Sequence, residues 1–291
     1  MRGGHLLTLP NLREGYHQLA RWVLETGEQV APRGQATREV LAATFEVEDL
    51  TQTMPIGCGR GVNPAIGALE ALFLIGGFVD YDLVERVAPR FREFMDDGKL
   101  HGAYGARAHG LTPHIIRRLR GDASTRQAVL TLWHPEKDLT RDGLHDYPCT
   151  LTLHFMIRND KLNLHVTMRS NDVWLGTSLD IFMFTQLQHT VANVLGIEVG
   201  RYFHTANSLH VYERDIPKVE RMLDTIIEEP VWLPRGLFGA MDGSAEWVDI
   251  ERQARAIAQG VRSPYADPHR QWYVDKLHPL LGGGGRDEGH E

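Results

Sequence analysis

Partway along this chain the spacing of apolar residues changes, from the three-to-four repeat of helices to the alternation of strands. Upstream, Leu12, Tyr16, Leu19, Ala20, Val23 and Leu24 share one face of a helix over 12–26, with Gly27 as its stop. A second helix starts at Pro64, runs to Ile75 and ends at Gly76-Gly77. Residues 81–95 are amphipathic but carry Pro89, which lacks a backbone donor, so a break is expected there. Thr112-Pro113 opens a short basic helix to Arg120. Arg38 to Glu48 reads as a strand after an Arg33-Gly34 turn. From Gln127 the period is two: 127–133, 148–158 and 161–169 are predicted strands, with Asn159-Asp160 at a tight hairpin turn. A helix follows, capped by Thr177 or Ser178 and closed by Gly196. Strand pieces at 197–205 and 209–213 precede a helix over 216–228. Strands and helices intermixed, without repeat or linker, predict one α/β (α+β) domain, a mixed β-sheet packed with helices. We assign that domain to residues 1–265, with 266–291 as an extension ending in a mobile tail around Gly282 to Gly285.

Composition narrows the function classes. The 31 basic and 38 acidic residues give a net charge of −7, which argues against coating a nucleic acid. One small phosphorylated ligand needs only a few local arginines. Two cysteines, Cys58 and Cys149, cannot build a disulfide framework or a cysteine zinc site, and no metal is expected. The start of the sequence has no long apolar core of a signal peptide. The apolar stretch 179–195 is interrupted by Asp180, Gln186, Gln188, His189 and Asn193, so no membrane span is expected and the cytoplasm is the default location.

Cys149 follows Pro148 at the entry to a strand. A thiol becomes a useful nucleophile only where cations lower its pKa, and spacing does not say where Arg126 and Arg169 lie. Taken alone, Cys149 fits a buried inert thiol as well as a nucleophile. Glu70 sits between Leu69 and Leu72 on an apolar stretch, where an unpaired charge is costly, and this favours a working carboxyl. His210 and Tyr212 alternate on a strand and so face the same way.

The segments Tyr147-Pro148-Cys149-Thr150, then 168–181 (MRSNDVWLGTSLDI), then 203–212 (FHTANSLHVY) resemble the thymidylate synthase superfamily in order and spacing. Weaker matches lie upstream at Glu70, Tyr104-Gly105, Arg126 and Trp133-His134-Pro135. The resemblance implies a thymidylate synthase-like fold and a homodimer with a sheet face at its interface. It implies that Cys149 adds to carbon 6 of a pyrimidine nucleotide, making carbon 5 attack the one-carbon unit of methylenetetrahydrofolate. Arg169 would hold the phosphate and help ionise Cys149, Arg126 would reach the partner subunit's phosphate, and Arg33 is a further phosphate candidate. Glu70 would organise proton transfers, and His210 and Tyr212 would bind the sugar. Ser170 would lie near phosphate or base, Asp172 would meet the pterin ring, and Tyr104 would line the cavity.

Departures from the methylating enzymes carry the finer reading. Those enzymes have Asn where this chain has Asp180. A carboxyl accepts from the amino group of cytosine and, when protonated, donates to nitrogen 3, so Asp180 resembles the cytidylate 5-hydroxymethylase branch. As a first-turn residue, Asp180 would also suit the helix dipole without reading any base. No Trp occurs from Glu70 to Tyr104, where the methylating enzymes carry one that keeps water off the intermediate. Thr150, Met168 and Ser178-Leu179 also depart from the pattern. The expectation is CMP or dCMP as substrate, with methylenetetrahydrofolate as co-substrate. The alternatives are a methylase of dUMP or UMP and a non-catalytic nucleotide-binding protein.

Overall fold

Local signals set most of the element boundaries. In the computed structural model, which describes residues 6–238, 245–261 and 267–281, the chain opens with β1 (Leu6–Leu9) and α1 (Leu12–Thr26). Asn11 caps α1 by accepting from the Glu14 N–H at 2.9 Å, and Gly27 ends it. Next come β2 (Glu28–Val30), β3 (Thr37–Val47) and α2 (Pro64–Gly76). Asn63 caps α2, and Gly77 closes it at φ +59°, in the left-handed region. Then follow α3 (Tyr81–Val87), α4 (Tyr104–Ala108), α5 (Thr112–Gly121), β4 (Val129–Thr131) and α6 (Pro135–Asp138). After α3 the chain tightens into a 3₁₀ turn over Pro89–Phe94, the break that Pro89 dictates. β5 (Thr150–Arg158) and β6 (Lys161–Met168) form a hairpin whose turn residues Asn159 and Asp160 have φ of 52° and 56°. The remaining elements are β7 (Asn171–Asp172), α7 (Thr177–Leu195), β8 (Glu198–Tyr212), α8 (Ile216–Leu223), α9 (Trp247–Ala258) and α10 (Pro268–Leu281).

The strands form one mixed sheet in the order β1-β3-β8-β6-β5-β4, with β2 on β3 and β7 on β8. β8 is its spine, antiparallel to β3 and parallel to β6 and β7. The sequence suggests two strand pieces at 197–213, but the structure has one continuous strand, its pairing with β3 resuming at Ser208 opposite Leu41. Three other expectations are corrected. Neither Thr177 nor Ser178 caps α7: the cap position is Gly176, and the Thr177 hydroxyl turns inward to Asn171 Oδ1. β4 is shorter than 127–133. α8 stops at Leu223, after which the Glu228 N–H donates to Gly57 O.

α7 runs through the middle of the molecule between the sheet and α2. Ile181, Phe182, Phe184, Leu187 and Val191 are fully buried on it. Several of its buried polar side chains are hydrogen-bonded, although Ser178 Oγ and Gln188 Oε1 find no partner among the described residues. Gln188 Nε2 donates to Leu162 O (2.8 Å), and Gln186 Nε2 donates to Pro234 O (3.0 Å). Gln186 Oε1 accepts from the Gly236 N–H and from Tyr273 Oη, each at 2.9 Å. Tyr273 belongs to α10, whose Trp272 and Leu277 are also buried, so the described part of the predicted extension packs against α2 and α7. The predicted tail at Gly282 to Gly285 lies outside the described residues.

α4 approaches α2 closely at Gly105. A Cβ there would sit 2.1 Å from Phe78 O and 2.4 Å from Phe73 O, both backbone atoms that cannot step aside. Gly105→Ala should therefore cost about 1–3 kcal/mol, read as a lower urea midpoint. Gly121→Ala, where nothing lies within 4 Å, serves as the control. Equal midpoints for Gly105→Ala and the parent would show that this approach is not required.

Candidate active site

The β6–β7 line is interrupted at Arg169-Ser170 while its register on β8 is kept, Met168 facing Ala206 and Asn171 facing Leu209. At the interruption the Arg169 N–H donates to Cys149 O at 2.8 Å. The Arg169 side chain folds back over the same turn: Nε donates to Pro148 O (3.0 Å) and Nη2 to Tyr147 O (3.2 Å). This brings Nη2 to 3.7 Å from Cys149 Sγ, with the guanidinium 6.0 Å from the centre of the Trp133 ring. Burial pushes the Cys149 thiol above its ordinary range, Arg169 opposes this most strongly, and Arg33 adds to that opposition. Arg33 is exposed in the turn before β3, at φ 52°, and its charge also reaches Tyr212.

Asp180 sits on the first turn of α7, tied to Asn171 Nδ2 by a 2.8 Å hydrogen bond to Oδ2. Burial and the charge of Asp172 raise its pKa to about 7 against the Asn171 bond. Glu70, on α2, is raised to about 8, first by burial and then by Asp180, with Arg90 opposing. Tyr104 bridges the groups: its Oη accepts from the Thr150 N–H (3.3 Å) and its ring stacks on Phe184. Asp180 and Cys149 both add to the elevation of the Tyr104 hydroxyl that burial causes. Cys149, Arg169, Asp180, Glu70, Tyr104 and Arg33 are thus brought together from six separate segments.

On the other side of the interruption, Asp172 faces His210 across the β7–β8 pairing, and the His210 ring packs edge-on against Tyr212. Asp172 Oδ1 accepts from the N–H groups of Trp174 (2.8 Å) and Leu175 (3.2 Å). Its Oδ2 is buried with no hydrogen-bond partner among the described residues, and burial raises its pKa while His210 opposes. Beside it the Arg60 guanidinium lies 4.3 Å over the Trp174 ring. Ser170 lies half-buried in the interruption itself. Arg126 is not brought into this group: it is exposed ahead of β4, with its carbonyl bonded to His154 Nε2 (3.1 Å).

A sequence model of the family described as thymidylate synthase matches residues 14–235, which contain every one of these side chains. The chain belongs to the thymidylate synthase family. A deoxyuridylate hydroxymethyltransferase of Bacillus phage SP01 is 30% identical over 217 residues, 69% of this chain and 57% of that protein. A deoxyuridylate hydroxymethyltransferase of Pseudomonas phage M6 is 36% identical over 173 residues, 57% of this chain and 49% of that protein. A thymidylate synthase of Bacillus licheniformis is 31% identical over 133 residues, 42% of this chain and 47% of that protein. The chain spans about half the length of these curated relatives.

Sequence reasoning gave no role to Asn171 or Asp146 and took Thr177 for a candidate helix cap. Asn171 and Thr177 lie inside the family motif, and two polar residues shortly ahead of Asp180 were the available signal. Asp146 precedes Cys149 by three residues. Its Oδ2 accepts from the Gly102 N–H (2.7 Å), and its charge disfavours the thiolate. Among the described residues no group of three or more His, Cys, Asp or Glu is placed to hold a metal, and no helix is long and apolar enough to cross a membrane.

Two outcomes follow from these charges. Removing the cation in Arg169→Gln should push the Cys149 titration higher, slowing alkylation by iodoacetamide about tenfold below its midpoint. An unchanged rate would detach Arg169 from thiolate stabilisation. The folded protein keeps protons on Glu70 and Asp180 at pH values where the unfolded chain has released them, so stability falls as pH rises from the ordinary carboxyl range toward about 8. Glu70→Gln should flatten that fall in urea titrations between about pH 5 and pH 8. Parallel curves for parent and variant would mean that Glu70 titrates normally.

Proposed function

We propose that this chain is a folate-dependent 5-hydroxymethyltransferase of cytidylate, converting CMP or dCMP, methylenetetrahydrofolate and water into the 5-hydroxymethyl nucleotide and tetrahydrofolate. The observation that carries the reading is the Asp180 carboxyl, anchored by Asn171 and held partly protonated near neutrality beside the thiol site. Such a group accepts from the cytosine amino group and donates to nitrogen 3. Cys149, as thiolate, adds to carbon 6 of the ring, and the electron pair released toward carbon 5 makes that carbon nucleophilic. Arg169 stabilises the thiolate and meets the phosphate together with Arg33. Glu70, protonated at neutral pH, donates and recovers the proton that ring addition and elimination require. His210 and Tyr212 bind the sugar, Ser170 lies near phosphate or base, and Tyr104 lines the cavity. The protein acts as a homodimer through a sheet face, with Arg126 reaching the partner subunit's phosphate.

The residues beside Asp172 fit the co-substrate. The unpartnered Asp172 Oδ2 is an acceptor for a ring N–H. When bound, methylenetetrahydrofolate supplies a one-carbon unit at the oxidation level of formaldehyde. The segment from Glu70 to Tyr104 contains no Trp to cover that unit and carries Arg90, whose charge reaches Glu70, which supports a site that admits water. A second reading, deoxyuridylate as substrate, is favoured by the two phage relatives, both deoxyuridylate hydroxymethyltransferases.

Purified protein incubated with methylenetetrahydrofolate and, separately, CMP, dCMP, UMP and dUMP tests both readings by product mass. Gain of CH2O on a cytidylate is expected, and gain on uridylates alone would reject the cytidylate reading. Gain of CH2 with dihydrofolate would make it a methylase. Asp180→Asn should shift kcat/KM toward the uridylates by about a hundredfold or more. Cys149→Ala should abolish exchange of the carbon 5 hydrogen with solvent. The same exchange, if absent in the parent, would indicate a non-catalytic nucleotide-binding protein.

A further inference from the structure

Asn171 is buried, 3% exposed, on the two-residue strand β7, and both ends of its amide are engaged. Thr177 Oγ1 donates to Asn171 Oδ1 at 2.7 Å, and Asn171 Nδ2 donates to Asp180 Oδ2 at 2.8 Å. Asp172 O, 3.0 Å away, is a second and longer acceptor for the same Thr177 hydroxyl proton. A protonated carboxyl has one hydroxyl and one carbonyl oxygen, and the pattern it offers depends on which oxygen bears the proton. A donor aimed at Oδ2 favours that oxygen as the acceptor and leaves the proton to Oδ1.

We propose that Asn171, fixed by Thr177, is a positioning residue for base selection, locking the proton of Asp180 on Oδ1 so that the carboxyl reads one pyrimidine edge and rejects the other. This rests on Asp180 being the base-reading group. Cytosine and uracil present reversed patterns at nitrogen 3 and at the substituent of carbon 4. A carboxyl free to move its proton between oxygens pairs with both. Once the proton is locked, the wrong base meets donor with donor and acceptor with acceptor, and both are buried unpaired. The relay therefore makes selective a group that would otherwise tolerate either base.

Calorimetric binding of dCMP and dUMP without folate tests this separately from turnover, using the parent, Asn171→Ala, Thr177→Val and Asp180→Ala. The parent should prefer one nucleotide by at least about tenfold. Asn171→Ala and Thr177→Val should each move the ratio of Kd values toward one by improving the disfavoured base relative to the favoured one. Loss of affinity for both nucleotides at an unchanged ratio would make Asn171 a packing residue and overturn the proposal, as would equal affinities in the parent. Should Asn171→Ala fail to fold, Thr177→Val, which keeps the side-chain shape, decides the matter alone. An unchanged ratio in Asp180→Ala would instead reject Asp180 as the base reader, and the relay with it.

Discussion

The hydrogen bond from the Arg169 N–H to Cys149 O joins the start of β5 to the end of β6 at the point where the β6–β7 line is interrupted. A regular ladder there would direct side chains alternately to the two faces of the sheet. The interruption instead lets the Arg169 guanidinium wrap the Pro148-Cys149 turn and stand next to the sulfur. Because β8 continues unbroken beside it, β7 resumes in register and presents Asn171 and Asp172 in their places. The placing of the Cys149 thiol, the Arg169 guanidinium, Asn171 and Asp172 thus depends on one local departure from sheet geometry.

Electrostatics among these side chains oppose one another. Burial makes every ionised group costly, and Asp180, Glu70 and Asp172 respond by holding protons more tightly. The negative charges of Asp180 and Asp146 disfavour the thiolate, while Arg169 and Arg33 favour it. A carboxyl kept neutral both donates and accepts, the property a base-reading group needs and an exposed aspartate lacks at neutral pH.

Much of the fold was legible in the sequence because its signals are local. The ends of α1 and α2, the Pro89 break and the Asn159-Asp160 hairpin follow from residues within a few positions of each boundary. Cys149, Arg169, Asp180 and Glu70 were legible through their spacing within the family pattern. The continuity of β8 was not, since it comes from the long antiparallel pairing with β3 rather than from its own polar middle. Nor was the inward turn of Thr177: a threonine ahead of a helix looks like a cap, and only the position of Asn171 draws its hydroxyl away. α10 escaped notice because Trp272, Tyr273 and Leu277 find their burial against α2 and α7, far off in sequence.

Gln186 ties two distant parts of the chain together with one amide, through the carbonyl of Pro234 and the N–H of Gly236 in one and the hydroxyl of Tyr273 in the other. It stands on the same helix as Asp180, so that helix is moored at its middle by the C-terminal third of the protein. A shortened chain lacking the last described helix would leave the glutamine oxygen short of one partner inside an apolar interior. A segment that reads in sequence as an appendage is in this way part of the footing on which the carboxyl of Asp180 is aimed.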